Sequence, residues 1–457
     1  MKTSISNSVM LAFIPWLCIA LYGLALELGS PSTSLSAWFL TVGLLSALAS
    51  TWHATGGGLG PSFLFLSTTT IFLGGRALPV LLGDDGANLA IIGFGEEFAA
   101  LPSTVASYVL AVLLSAACVS STALLGQHEP IQPTRDIRAD FYRACFLLTL
   151  PLYLYKNFYY FYYLISNGGY LAIYQGTEHT EGVGIAPRVG SLLCLAAFTL
   201  YFFSESDKIR LRPLLVLFGL AFCTELLIGL RGKFFSTVLT FLLFYKLRNG
   251  GHFSFQHMWR LALTVVALSL TVQVLREQQD AIPVEGQPLS LFLTQQGVSA
   301  GVLMSVIQYP YAFAGQGLHY LQQQFLVPFI PQPEVQPGMF LADDLSIFMM
   351  PEAYALGFGT GSSYLAELAL LGGWIGIALG SLLVGLALRR LGRYCNGLGG
   401  ALAFWVVAGL VFYPRAMLHE PLFQLLRYAP PMLLLWTVAG AWIWLTRIHP
   451  RIKATEA

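Results

Sequence analysis

The chain has 457 residues, of which 56% are hydrophobic and 10% charged, with a formal net charge of +1 and a mean hydropathy of +0.67. These values exclude a soluble globule and describe an integral membrane protein. The neutral balance offers nothing to nucleic acid, and the six cysteines lack metal-like spacing, so neither a zinc site nor a structural disulfide is expected.

The first 29 residues carry one Lys and then a long apolar run without a small-x-small cleavage site. They read as a first membrane helix, not a signal peptide. Apolar stretches near the length that a bilayer needs then recur along the chain. About twelve spans are expected, at roughly 8–27, 34–53, 62–83, 103–126, 141–165, 189–204, 212–230, 234–247, 259–275, 363–387, 398–414 and 422–446. The fold class is therefore all-α: a single polytopic membrane domain over 1–457. A large outer loop, 276–362, is rich in Pro and Gly and holds apolar but interrupted segments suited to interfacial or re-entrant helices.

Sixteen of the 24 Lys and Arg fall in loops of one side if the N-terminus is cytoplasmic. An even number of spans puts both termini there, and both are basic. The 276–362 loop then faces the periplasm. The other eight cations are Arg76, Lys156, Arg188, Arg231, Lys233, Arg276, Arg415 and Arg427. They lie within spans or on the opposite side, where a cation is costly, which suggests an anionic ligand.

Four constellations follow in chain order. Tyr153, Tyr155, Tyr159, Tyr160, Tyr162 and Tyr163 cluster near the outer end of one span, as an aromatic belt does; sugar stacking is the sharper alternative. Lys156 lies in mid-span there, and Arg188 opens the following helix as a candidate phosphate contact. Next, Glu225 precedes Arg231, Gly232 and Lys233, read as a tight outer turn before another helix. Cations beside a helix N-terminus make a phosphate site.

Third, Gly357, Gly359, Gly361, Ser362 and Ser363 lead into a membrane helix that carries Glu367. Glycines allow close backbone approach to an anion, serines can cap, and a carboxylate at that depth needs a partner. Fourth, Arg415 and His419 stand four apart and share a face if the segment is helical, with Glu420 adjacent and Arg427 beyond. A His beside a carboxylate can be a general base, and an Arg can hold a diphosphate. His319 in the late loop is a second base candidate.

At GFGTGSSYLAELALLGGWIGI the chain resembles the bacterial O-antigen polymerase (Wzy-type) family. ELLIGLRGKFF is also similar to that family's Gly–Arg–Gly segment between two spans, and the many-helix layout with one late outer loop fits. The late loop holds no Arg-x10-Gly pattern of the kind some members have: Arg276 to Gly286 is one residue short. The resemblance implies a metal-independent glycosyltransferase of the membrane GT-C type, without a cofactor. It would join undecaprenyl-diphosphate-linked oligosaccharide units at the outer face of the bacterial inner membrane, among membrane lipids and with a chain-length regulator as a partner. Arg231, Arg415 and Arg427 would neutralise the leaving diphosphate, helped by Lys233, Arg188, Arg276, Lys156, Gly361, Ser362 and Ser363. His419, Glu420, Glu367 or His319 would take the acceptor proton. The alternatives are an O-antigen ligase with the same donor chemistry, or a flippase or transporter of lipid-linked sugar. The latter would line a path from both faces with cations, whereas here they bunch on the outer half.

Overall fold

The computed structural model describes residues 2–29, 31–83, 89–90, 92, 99–125, 134–167, 182–228, 231–249, 260, 267, 288–326, 337–355 and 359–455. For residues 2–6, 231, 233, 288, 289, 291, 295 and 447–455 it describes the backbone alone. Every regular element among them is a helix. In chain order they are α1 (Lys2–Leu28), α2 (Thr33–Ala54), α3 (Pro61–Phe72), α4 (Ala77–Leu81), α5 (Pro102–Ala123), α6 (Ala139–Ser166), α7 (Ile185–Ser204), α8 (Lys208–Phe222) and α9 (Thr224–Leu227). There follow α10 (Arg231–Arg248), α11 (Pro288–Gln296), α12 (Val298–Gln308), α13 (Gly317–Leu326), α14 (Leu341–Met349), α15 (Pro351–Ala355), α16 (Tyr364–Leu391), α17 (Gly397–Phe412) and α18 (Glu420–Thr455).

Among the described residues, seven helices are long and apolar enough to cross a membrane. Their starts follow local chemistry. Pro102 begins α5 at a position where its missing N–H is no loss. Ser32 caps α2 by accepting from the Leu35 N–H at 3.2 Å. The other expected spans are shorter or more polar helices, and 259–275 lies almost wholly outside the described residues. The 62–83 span is two pieces, α3 and α4, parted at Leu73–Arg76.

The chain forms two compact units. One comprises Met1–His128, Gly251–Leu391 and Gly409–Pro421. At its centre α5 is buried on nearly every side, which its Ala and Ser content permits: small side chains let helices approach where lipid gives no hydrophobic drive. Tyr22 and Ser36 share a 2.7 Å hydrogen bond between α1 and α2. The described residues of the 276–362 segment are largely helical. Its α12 is buried and packs against α5 and α16.

In this unit α16 is not one straight helix. Gly372 and Gly373 leave helical geometry, the latter with φ +54°, a left-handed conformation that favours glycine. A Cβ on Gly376 would strike the Leu368 carbonyl, and one on Gly380 the Leu368 side chain. Residues 368 and 380 would stand about 18 Å apart in a straight helix. The arm 374–391 therefore folds back along the short arm 364–371, and the bare Gly376 and Gly380 provide the room.

The second unit comprises Glu129–Gly250, Gly392–Ala408 and Leu422–Ala457. Its core is aromatic. Phe198 stacks on Phe218 with centroids 3.9 Å apart, Phe241 meets both rings and Phe404, and Trp405 stacks on Tyr428 at 3.6 Å. Such ring pairs contribute roughly 0.5–1.5 kcal/mol each beyond burial.

Candidate active site

In the first unit, two breaks in helices meet a third. Gly75, after the end of α3, lies against the Leu293 carbonyl, and the Arg76 side chain passes so close to Gly297 that a Cβ there would collide with it. The neighbouring Gln296 accepts a hydrogen bond from Arg415 Nη1 at 3.3 Å. Arg415 also lies over the Phe72 ring, 5.7 Å from its centroid. Two arginines, Arg76 and Arg415, thus converge on the junction between α11 and α12.

Arg415 ends a 3-10 turn, Tyr413–Arg415, after which Ala416 is extended and α18 starts only at Glu420. Arg415 and His419 therefore do not share a helical face, because Pro414 and the extended Ala416 interrupt the helix. What joins them is a short, braced strip of backbone. The Tyr413 hydroxyl, on a ring stacked 5.0 Å from Tyr364, donates to the Leu418 carbonyl at 2.6 Å. The Leu418 N–H donates to Glu367 Oε2 at 2.9 Å, and the His419 N–H to Gln324 Oε1 at 3.3 Å.

Glu367 is 4% exposed and sits on the short re-entrant arm. Its Oε1 accepts from Ser362 at 2.6 Å and its Oε2 also accepts from Gln324 Nε2 at 2.9 Å. Three neutral donors hold a buried carboxylate, the arrangement that burial demands. The glycine–serine segment therefore acts locally. Gly361, at φ +72°, turns the chain, and Ser362 donates to Glu367. The Ser363 hydroxyl is wholly buried, with no hydrogen-bond partner among the described residues. Gly357 lies outside them.

His419 is half-buried, and burial pushes its imidazole down from 6.5 to about 4. The ring is therefore uncharged at neutral pH, as a proton acceptor must be. Glu420 starts α18, where an acidic side chain favours the helix dipole. His319 is exposed on α13, while Tyr320 and Gln324 of that helix are buried. Gln324 and Gln296 escaped the sequence reading because a neutral amide carries no signal until its partners are known.

Of the other expected residues, Lys156, Arg188, Arg231, Lys233 and Arg427 lie in the second unit. Arg231 and Lys233 are in the first turn of α10, not in a turn before it; their side chains lie outside the described residues, as does Arg276 entirely. Tyr153 is buried and donates to Glu225 at 2.9 Å, so it leaves the belt that exposed Tyr155 and Tyr162 could form. Lys156 lies over the Tyr153 ring at 5.5 Å. The phenol of Tyr160 is within electrostatic reach of both Arg188 and Arg427.

A helical membrane bundle with buried cations and a braced Arg–His turn still fits several transferases and transporters. The family comparison decides between them: the model of O-antigen polysaccharide polymerase Wzy matches residues 60–447. The chain belongs to this family. It is a multi-pass membrane protein and a polysaccharide polymerase of the transferase class. The match spans both resemblance-bearing segments, ELLIGLRGKFF and GFGTGSSYLAELALLGGWIGI. No curated protein and no solved structure matches this Wzy family member.

Proposed function

We propose that this polymerase joins undecaprenyl-diphosphate-linked oligosaccharide repeat units at the periplasmic face of the bacterial inner membrane, by metal-independent, GT-C-like glycosyl transfer. The observation that carries this reading is the 413–420 strip, where a cation and an uncharged imidazole sit on one backbone segment anchored by Glu367 and Gln324.

In the reaction, the anomeric carbon of the donor leaves its lipid diphosphate as the acceptor hydroxyl oxygen bonds to it. The hydroxyl proton passes to His419, and the diphosphate departs with the bonding electrons. Arg415 faces that developing charge, where a guanidinium offers two parallel N–H donors. Arg76, in the same unit and at the same α11–α12 junction as Arg415, is a further cation for the lipid diphosphate. The family match favours polymerisation over ligation or lipid flipping. A chain-length regulator is the proposed protein partner; its addition should change the modal length of the product without being needed for its formation.

The test is purified protein in detergent with lipid-linked repeat units. Ladders of increasing length should form without metal or nucleotide and persist in EDTA. No ladder, or one restored only by magnesium, rejects the reading.

A further inference from the structure

Gln324 joins three pieces of chain that are far apart in sequence. The residue is 1% exposed. Nε2 donates to Glu367 on the re-entrant arm at 2.9 Å, and Oε1 accepts from the His419 backbone at 3.3 Å. The reverse orientation would set oxygen against carboxylate and NH2 against N–H, so the neighbours dictate a single rotamer. Glu367 takes the preceding amide, that of Leu418, at 2.9 Å. Two consecutive N–H groups ahead of α18, which no helix bond could satisfy, are thus held by two buried side chains. With Tyr413 on the Leu418 carbonyl, the peptide before His419 is fixed from both sides.

We propose that Gln324, acting with Glu367, is a positioning residue that aims the His419 imidazole and so sets turnover. This rests on the reading of His419 as the acceptor base. It also gives α13 of the late loop a function that its own exposed His319 does not supply. The role needs a group that donates on one side and accepts on the other. A neutral carboxylic acid at this position could do the same; a carboxylate could not.

That asymmetry provides the test. Among the described residues, the titratable groups facing the clamp are Glu367 and Tyr364 from the re-entrant arm, Tyr413 and His419 from the 413–420 strip, and Tyr320 on α13 itself, which is turned to Asp344. Glu367 forms no ion pair among the described residues. Gln324→Glu should therefore introduce a new proton requirement. At low pH the shared proton restores the wild-type pattern; as pH rises, two carboxylates face each other and the strip is displaced. Polymerisation by Gln324→Glu should match wild type near the acid end of the range and fall about 10- to 100-fold above it, with KM for lipid-linked units little changed. Wild type should lack this alkaline limb. Gln324→Leu should be slow at every pH yet insert normally.

If Gln324→Glu keeps the wild-type pH profile, or Gln324→Leu keeps wild-type turnover, the positioning role is overturned. If activity and melting temperature of Gln324→Glu fall together at all pH values, the residue is only structural and the proposal also fails. If wild type itself makes no ladder, or His419→Gln retains its rate, the underlying reading of the site has failed; that outcome is recognisable because it does not depend on position 324.

Discussion

His419 is uncharged because it is buried, and this has two measurable consequences. Its folded-state value lies below the unfolded one, so between pH 6.5 and about 4 the unfolded chain binds more protons. The stability that this residue contributes is present above that window and is lost as pH falls through it. Melting curves in detergent should show a decline on acidification that is weaker in His419→Gln. Turnover carries the second signature. The acid limb of kcat/KM, which reports the free enzyme, should sit near the low value, whereas that of kcat should lie higher, because a bound diphosphate anion favours imidazolium. His419→Gln should lose about 100- to 10,000-fold in rate while still binding donor. For Arg415, loss of a charge-assisted contact to diphosphate is worth roughly 1.5–3 kcal/mol, about 10- to 150-fold in rate. Arg415→Ala should show that loss in ladder assays, and Arg415→Lys should recover only part of it, lacking the planar fork.

At the scale of elements, the re-entrant hairpin of α16 matters most, because its short arm carries Glu367 and its elbow lets that arm return into the unit. The two arms touch through Leu368 against Gly376 and Gly380. Gly376→Val would drive a branched side chain into the Leu368 carbonyl, an overpacking that costs about 1–3 kcal/mol. A lower melting temperature and reduced polymer yield are expected. Substitution of Trp374, 46% exposed one residue beyond the elbow, by Phe should leave both near wild type. Equal effects from the two would contradict the hairpin. LALLGGWIGI is apolar on all sides, so its periodicity could not tell a folded hairpin from one crossing helix. Only the approach of residues 368 and 380 separates them.

For the whole molecule, the basic bias of the loops predicts which side each faces. In a cysteine-free background, Gln316→Cys, exposed just before α13, should react with an impermeant maleimide from outside intact cells. Lys208→Cys, exposed at the start of α8, should react only after the membrane is opened. Labelling of both from outside would overturn the orientation, with the late loop outward and both termini inward.

Composition and apolar run length alone determined that this is an all-helical membrane protein, because burial of backbone polar groups in lipid leaves few other solutions. The placement of most helices followed from the same runs: α1, α2, α5, α7, α17 and the start of α18 fall within a few residues of expectation. Arg415, His419 and Glu367 stood out because charge in an apolar chain is conspicuous. Their relationship did not. A shared helical face was a local extrapolation, and Pro414 with the extended Ala416 removed it. Glu367, a candidate base by its depth, accepts bonds from Ser362, Gln324 and Leu418. Those donors lie up to 51 residues away along the chain, and hydrogen-bond partners at such separations have no sequence signature. The identity of the charged groups was legible from local cost; which of them meet, and through which neutral amide, was decided only when distant helices packed.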